Sequence, residues 1–245
     1  MLRTLLCIIF VVIFLIFMLP VTLITWIIGK TNPALKDKLN MIFIRSAFKI
    51  ILFLAGTKLT VIGEDRIPKD QSVLYVGNHR GFFDIVTIYS RVFRPMGFVA
   101  KIELSKIPLL NMQMKNIHCA FLDRDDLKQG LQTILSCIQE VKNGISICIF
   151  PEGTRNTGEE GTILPFHIGS LKIADKAKCP IVPIAITNTQ AVFEAHLPAI
   201  KSAHVILEYC DPIDTASMTK EEKKELKSRL ETTILEKLKE HKSMI

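Results

Sequence analysis

The chain lacks any Cys-x-x-Cys pair or metal-ligand spacing among its six cysteines. Most lie in apolar runs (Cys7, Cys148) or amphipathic ones (Cys137), so they read as buried free thiols in a reducing compartment, not as a zinc module or disulfide framework. No Gly-x-Ser-x-Gly is present; Gly169-Ser170 lacks the flanking pattern that a serine-hydrolase elbow needs. There is no internal repeat and no low-complexity linker, which argues against a solenoid or a string of tethered modules. Acidic residues are nearly missing from the first 56 positions. Six basic residues (Arg3, Lys30, Lys36, Lys38, Arg45, Lys49) face only Asp37 there, so this part holds +5 of the formal +7 and leaves +2 for residues 57–245. A nearly neutral body gives no footing for nucleic-acid binding. A basic excess beside an apolar segment suits anionic lipid headgroups.

That apolar segment is residues 4–28, polar only at Thr4, Thr22 and Thr25. As a helix rising about 1.5 Å per residue it would reach roughly 37 Å, more than the ~30 Å of a bilayer's hydrocarbon core. Pro20 leaves a kinked, re-entrant or interfacial course open. A cleaved leader would want an apolar region of about 7–15 residues and a small-residue site. This run is longer, and Trp26-Ile27-Ile28-Gly29-Lys30 offers no such site. Basic residues follow it, which places the remaining chain on the cytoplasmic side of the cell membrane. Residues 36–56 read as a second helix, with Lys38, Arg45 and Lys49 on one face and apolar residues on most others. This suits a helix at a membrane interface with its basic stripe toward headgroups. The alternative is a helix packed on the core with one solvated stripe.

From Lys58 the pattern changes to that of a globular domain. Strands are expected at 58–62, 73–76, 97–100, 119–122, 145–150, 181–187 and 205–209. Helices are expected at 84–92, 103–115 with a break near Pro108, 125–142, 166–178 and 220–241. The 125–142 helix would turn Leu127, Leu131, Ile134, Leu135 and Ile138 inward, and the last helix Leu226, Leu230, Ile234 and Leu238. Strands alternating with helices give an α/β fold: a mixed, largely parallel sheet flanked by helices, preceded by a two-helix membrane-associated segment. The expected division is an anchoring part at 1–56 and a catalytic domain at 57–245.

Chemistry in such folds gathers where strands end. The run Val73-Leu74-Tyr75-Val76 ends in Gly77-Asn78-His79, and Asp84 opens the next helix five residues later. An imidazole held in one tautomer by a carboxylate is a general base; a helix-capping Asp beside an incidental His is the plainer alternative. The strand at 145–150 ends in Pro151-Glu152-Gly153-Thr154-Arg155. Gly153 permits close backbone approach, and Arg155 offers a fork for phosphate or carboxylate, unless it merely closes the loop against Glu152. Arg124 follows the strand at 119–122, where it suits an anion or a charge pair with Asp125 and Asp126. Lys101 follows the strand at 97–100 as a further cation or a solvated lysine.

Together these blocks resemble the glycerolipid acyltransferase family. The resemblance rests on Asn78-His79-x4-Asp84, Phe121-Leu122-Asp123-Arg124, Phe150-Pro151-Glu152-Gly153-Thr154-Arg155 and Val182-Pro183-Ile184 in the family's order, with Gly169 to Ala174 also similar. It covers roughly residues 58–210. Gly81 stands where the family often has Ser, and His118 where it usually has Gly. The resemblance implies acyl transfer from acyl-CoA or acyl carrier protein to the sn-2 hydroxyl of 1-acylglycerol 3-phosphate, giving phosphatidic acid. His79 would be the base oriented by Asp84. Arg124, Arg155 and, less directly, Lys101 would hold the acceptor's phosphate. Glu152 would orient its hydroxyls, and Gly153 and Thr154 would line the site. No metal or organic cofactor is implied; the partners are the acyl carrier, lysophosphatidic acid and membrane lipids. Acylation of glycerol 3-phosphate or another lysolipid is the alternative within the family, and a non-catalytic membrane-binding module the alternative outside it.

Overall fold

The protein is described from Met1 to Ile245 by a computed structural model. Two long helices come first, α1 (Leu2–Gly29) and α2 (Pro33–Ala55). Asn32 caps α2 by accepting from the Leu35 amide at 3.0 Å, and Pro33 sits where no amide partner is needed. There follow β1 (Lys58–Ile62), β2 (Leu74–Gly77), α3 (Phe82–Tyr89), β3 (Met96–Lys101) and α4 (Leu110–Asn116). Then come β4 (Ala120–Leu122), α5 (Leu127–Lys142), β5 (Ser146–Ile149), α6 (Lys172–Ala177), β6 (Ile181–Thr187), β7 (His204–Tyr209) and α7 (Lys220–His241).

The seven strands form one sheet in the order β1-β7-β6-β2-β5-β3-β4. Every pairing is parallel except β6 with β7. Strands β6, β2, β5, β3 and β4 therefore run the same way, and the loops after all five leave from one edge. The central strands are buried on both faces, as their unbroken apolar runs require. Alternate residues divide between two cores. Tyr75, Cys148, Val182 and Ile184 pack with α2 and α3, whereas Leu74, Val76, Ile147 and Ile181 pack with α5, α6 and α7. The inner stripe of α7 is as expected, with Leu226, Leu230, Ile234 and Leu238 all buried.

Helix α5 differs from expectation. Leu127, Leu131 and Leu135 are 89%, 61% and 55% exposed. The buried face is Thr133, Cys137, Ile138 and Val141. The edge strand β4 explains the rotation. Its Phe121 carbonyl accepts from both Thr133 Oγ1 (3.0 Å) and Gln129 Nε2 (2.8 Å), which turns the polar side of α5 onto the sheet.

The first two helices play different parts. Helix α2 gives Met41, Ile44, Leu52 and Ala55 to the core beneath the sheet. Arg45 leaves the expected basic stripe: its Nη1 donates to the Val92 carbonyl at 2.9 Å, while Lys38 and Lys49 stay exposed. Helix α1 buries one narrow face, Thr4, Cys7, Met18 and Thr25, and exposes apolar side chains on the others, Ile13, Ile16, Leu23 and Trp26 among them. It is long and apolar enough to cross a membrane. The threonines of this run are contact points. Thr4 Oγ1 accepts from the Ile200 amide at 2.8 Å, and Thr22 Oγ1 accepts from Gln113 and Asn116 at 3.1 and 3.3 Å. Thr25 Oγ1 donates to the Thr22 carbonyl. Helix α1 thus runs across the α2 face from the segment after β6 to α4.

Candidate active site

Where β2 ends, Asn78 is clamped to β6: its amide donates to the Ile186 carbonyl and its Oδ1 accepts from the Ile186 amide, both at 2.9 Å. The chain then turns at His79 and re-enters helix at Phe82. His79 Nδ1 lies 2.7 Å from Asp84 Oδ2. The same oxygen accepts from the backbone amides of Arg80 (2.6 Å) and Gly81 (2.8 Å). Its twin, Oδ1, accepts from the Thr189 hydroxyl at 2.5 Å. Asp84 is wholly buried, with three donors on Oδ2 and one on Oδ1. A carboxylate so held is an acceptor, so Nδ1 carries the proton and Nε2 keeps its lone pair. The ring stacks on Phe150 with centroids 4.2 Å apart and is 16% exposed, leaving one open edge.

Glu152 stands behind the histidine. Its Oε1 accepts from the His79 amide and its Oε2 from the Leu164 amide, each at 2.8 Å, and the residue is 3% exposed. Burial pushes its carboxyl above the usual range, opposed by these two N–H groups. Both oxygens are engaged, so Glu152 braces the His79 turn and is not turned to solvent where an acceptor's hydroxyls would enter. Gly153 has φ +71°, in the left-handed region, and a side chain there would meet the His167 ring at about 3.1 Å. Its amide donates to the Phe150 carbonyl at 3.0 Å and is spent on the turn. The amides of Thr154 and Arg155 have no acceptor within the protein, and both residues are exposed.

Arg155 reaches the start of α3 beside the His79 turn. Its guanidinium carbon lies 3.9 Å over the ring of Phe82, the first residue of α3. Arg124 is exposed after β4. Lys101 ends β3 but pairs with Glu103 at 2.6 Å, with its side chain 55% exposed, so its charge is already answered. The parallel register sets Lys101 beside Leu122, so Arg124 leaves from the same edge of the sheet as His79 and Arg155. His118 lies at the opposite end of β4. Its φ of +60° explains why glycine suits that position. Its ring is 3.1 Å from Asp37 and 2.9 Å from Glu140, away from the site edge. Burial opposes its charge, but the two carboxylates win and push it up to about 9. No three His, Cys, Asp or Glu side chains gather closely enough to ligate a metal ion.

Several residues that shape the site went unmarked in the sequence. Arg80, 2% exposed, turns away from His79 and donates to the carbonyls of Gly158 (2.8 Å) and Glu159 (3.1 Å) and to Gln190 Oε1 (2.8 Å). Gln190 Nε2 in turn donates to the Arg80 and Asn156 carbonyls. Glu194 Oε1 accepts from the Phe82 amide at 2.7 Å, and burial raises its carboxyl. A side chain at Gly81 would sit 2.4 Å from the Glu194 carboxylate, so that carboxylate fills the room a serine would need. Thr189, Gln190 and Glu194 all follow β6. Applying the strand-end rule to Val182-Pro183-Ile184 would have pointed to them.

A family model described as Acyltransferase matches residues 58–187. A 1-acyl-sn-glycerol-3-phosphate acyltransferase of Borreliella burgdorferi is 31% identical over 201 residues, covering 82% of this chain and 80% of that protein. One from Haemophilus influenzae is 33% identical over 168 residues, 66% of this chain and 68% of that protein. The crystal structure of the 1-acyl-sn-glycerophosphate (LPA) acyltransferase PlsC from Thermotoga maritima superposes with a TM-score of 0.83 at 26% identity, over 98% of this chain and 95% of that one. With an acyltransferase fold along its whole length and the His79–Asp84 pair where that fold opens, the chain belongs to the acyltransferase family that includes the 1-acyl-sn-glycerol-3-phosphate acyltransferases.

Proposed function

We propose that the enzyme transfers a fatty acyl group from an acyl thioester, acyl-CoA or acyl carrier protein, to the sn-2 hydroxyl of 1-acylglycerol 3-phosphate, giving phosphatidic acid for phospholipid synthesis. The similarity to enzymes named for this acceptor supports the substrate. The observation that carries the mechanism is the 2.7 Å contact of His79 Nδ1 with a sealed Asp84. His79 Nε2 takes the hydroxyl proton as the oxygen attacks the thioester carbonyl. The tetrahedral intermediate collapses with loss of thiolate, and the imidazolium returns the proton to sulfur. No Ser or Cys nucleophile takes part in this scheme, so the acyl group passes directly. The unspent amides of Thr154 and Arg155 suit the oxyanion. Arg155, with Arg124 from the loop after β4 at the same sheet edge, suits the acceptor phosphate.

Acceptor and product are lipids, and the apolar outer faces of α1 supply a means of meeting the bilayer. On this reading α1 is the anchor at the cell membrane, α2 with Lys38 and Lys49 lies between it and the domain, and the catalytic edge faces the cytoplasmic leaflet. The test is His79→Ala, expected to lose about 10²–10⁴ in kcat with its melting temperature kept. Purified enzyme is assayed on 1-acylglycerol 3-phosphate, glycerol 3-phosphate and other lysolipids with both thioester carriers. Near-normal turnover by His79→Ala would refute the mechanism. Preference for another acceptor would refute the substrate alone.

A further inference from the structure

We infer that Thr189 is a positioning residue of the catalytic pair, acting through Asp84; the inference rests on His79 and Asp84 being the reacting pair. Asp84 must keep His79 in one tautomer and support the imidazolium as it forms. Its Oδ2 does this with three donors from its own turn: His79 Nδ1, the Arg80 amide and the Gly81 amide. Oδ1 has no donor from that turn. Its donor is the hydroxyl of Thr189, 105 residues away in sequence, at 2.5 Å. Both residues are wholly buried, so water cannot replace the hydroxyl. Without it, half of a buried carboxylate would face no donor.

Thr189 is itself held. It lies two residues past the end of β6, and its carbonyl accepts from the Val192 amide at 3.0 Å. The next residue, Gln190, ties the segment to Arg80 and Asn156, and Glu194 ties it to the Phe82 amide. Since β6 is parallel to β2, with Gly77 beside Ile184, the end of β6 stands next to the His79 turn. The hydroxyl is therefore delivered by the sheet, not by a free loop. A hydroxyl is a fitting group, because it donates to the carboxylate without adding a second charge beside it. Thr189 touches neither the ring of His79 nor the open edge where substrates enter, so its effect passes through the orientation and charge of Asp84.

The charged and titrating groups around the pair are Glu152 behind the His79 amide, Glu194 over Gly81, Arg155 over Phe82, Cys148 on β5, and Arg80, whose guanidinium points toward Gly158 and Glu160. None of them bonds to the Thr189 hydroxyl, so a substitution there leaves their contacts in place. Thr189→Val removes the hydroxyl and keeps the shape. We expect kcat to fall about 10- to 100-fold, the range for losing a hydrogen bond to a charged group, with the acceptor KM little changed. An Oδ1 left without a donor draws more strongly on the imidazolium proton. The acid limb of kcat/KM should therefore move to higher pH, by about one unit for a tenfold effect. Thr189→Ser restores the donor and should return kcat to within about threefold and the limb to its original place.

The assays use the full chain in lipid vesicles, with a circular dichroism melt of each variant. An unmoved acid limb and unchanged kcat in folded Thr189→Val would overturn the inference. So would equal losses in the Val and Ser variants, because packing and not the hydroxyl would then be at work. If Thr189→Val does not fold, the pH profile of Thr189→Ala against Thr189→Ser decides by the same criteria. A silent Thr189→Val beside an inactive His79→Ala would sink this inference and leave the catalytic pair standing. An active His79→Ala would sink both.

Discussion

Arg155 shows how one side chain is prepared before substrate arrives. Its guanidinium rests on the Phe82 ring at 3.9 Å, and the carboxylate of Glu194 is turned to the Phe82 amide. The fork is thus restrained, exposed and unpaired, whereas Lys101 is held by Glu103. Arg155→Ala should raise the acceptor KM roughly 10- to 100-fold, the range for a charge-assisted contact, with a smaller fall in kcat. Arg155→Lys should recover only part, since a point charge neither stacks on a ring nor bonds phosphate with two parallel donors. Steady-state kinetics varying acceptor and donor in turn checks this. A change confined to the donor KM would remove Arg155 from the phosphate site. Glu152 carries the opposite lesson. A carboxylate next to Gly153 and Arg155 reads as a ligand in one dimension, but both its oxygens are taken by backbone amides of the surrounding loops.

At the scale of elements, His118 joins α2 to α5 at the start of β4 through Asp37 and Glu140. Its charge is favoured in the folded state, where it titrates near 9 against a usual 6.5. Its contribution is fully present below about pH 6.5, declines above that, and is gone once pH passes about 9. We expect wild type to exceed His118→Gln by on the order of 1–2 kcal/mol at pH 6, about 2–8 °C in melting temperature, and the gap to close by pH 10. Melts by circular dichroism across that range decide it; a constant gap would mean that the ion pairs contribute nothing. What the sequence revealed of the elements depended on how local the cause was. The stripe of α7 was legible because Leu226, Leu230, Ile234 and Leu238 meet a broad apolar face. The face of α5 was not, because the Phe121 carbonyl turns it from outside the helix. The His79–Asp84 pair closes within five residues and was readable. Thr189 and Glu194 are brought in by β6 lying beside β2, and no spacing along the chain records that neighbour.

At the scale of the whole molecule, the N-terminal 56 residues do not behave as one piece. Met41, Ile44 and Leu52 of α2 are buried beneath the sheet, and each is worth about 1.5–3 kcal/mol. Removing them would take away much of a stability that for domains of this kind is about 5–15 kcal/mol. Deleting residues 1–56 should therefore unfold the protein, whereas deleting residues 1–30 should leave it folded and release it from membranes. Some turnover on a short-chain, soluble acceptor should survive the shorter deletion, since His79, Asp84 and Arg155 all lie outside it. Vesicle flotation and a melt of each truncation test this. A folded 1–30 deletion that still floats fully with vesicles would refute the anchoring role of α1.

The hydrogen bond from the Ile200 amide to Thr4 gives α1 a second meaning. The segment it touches is the one that supplies Thr189, Gln190 and Glu194 to the His79 turn. The first helix is thus fitted to this enzyme as a key is cut to its lock, not clipped on as a generic handle. An anchor transplanted from another protein would deliver the chimera to the bilayer yet leave Ile200 without its partner. Whoever engineers this enzyme can exchange the exposed apolar side of α1 freely, but keeps the Ile200 contact only by carrying Thr4 over unchanged.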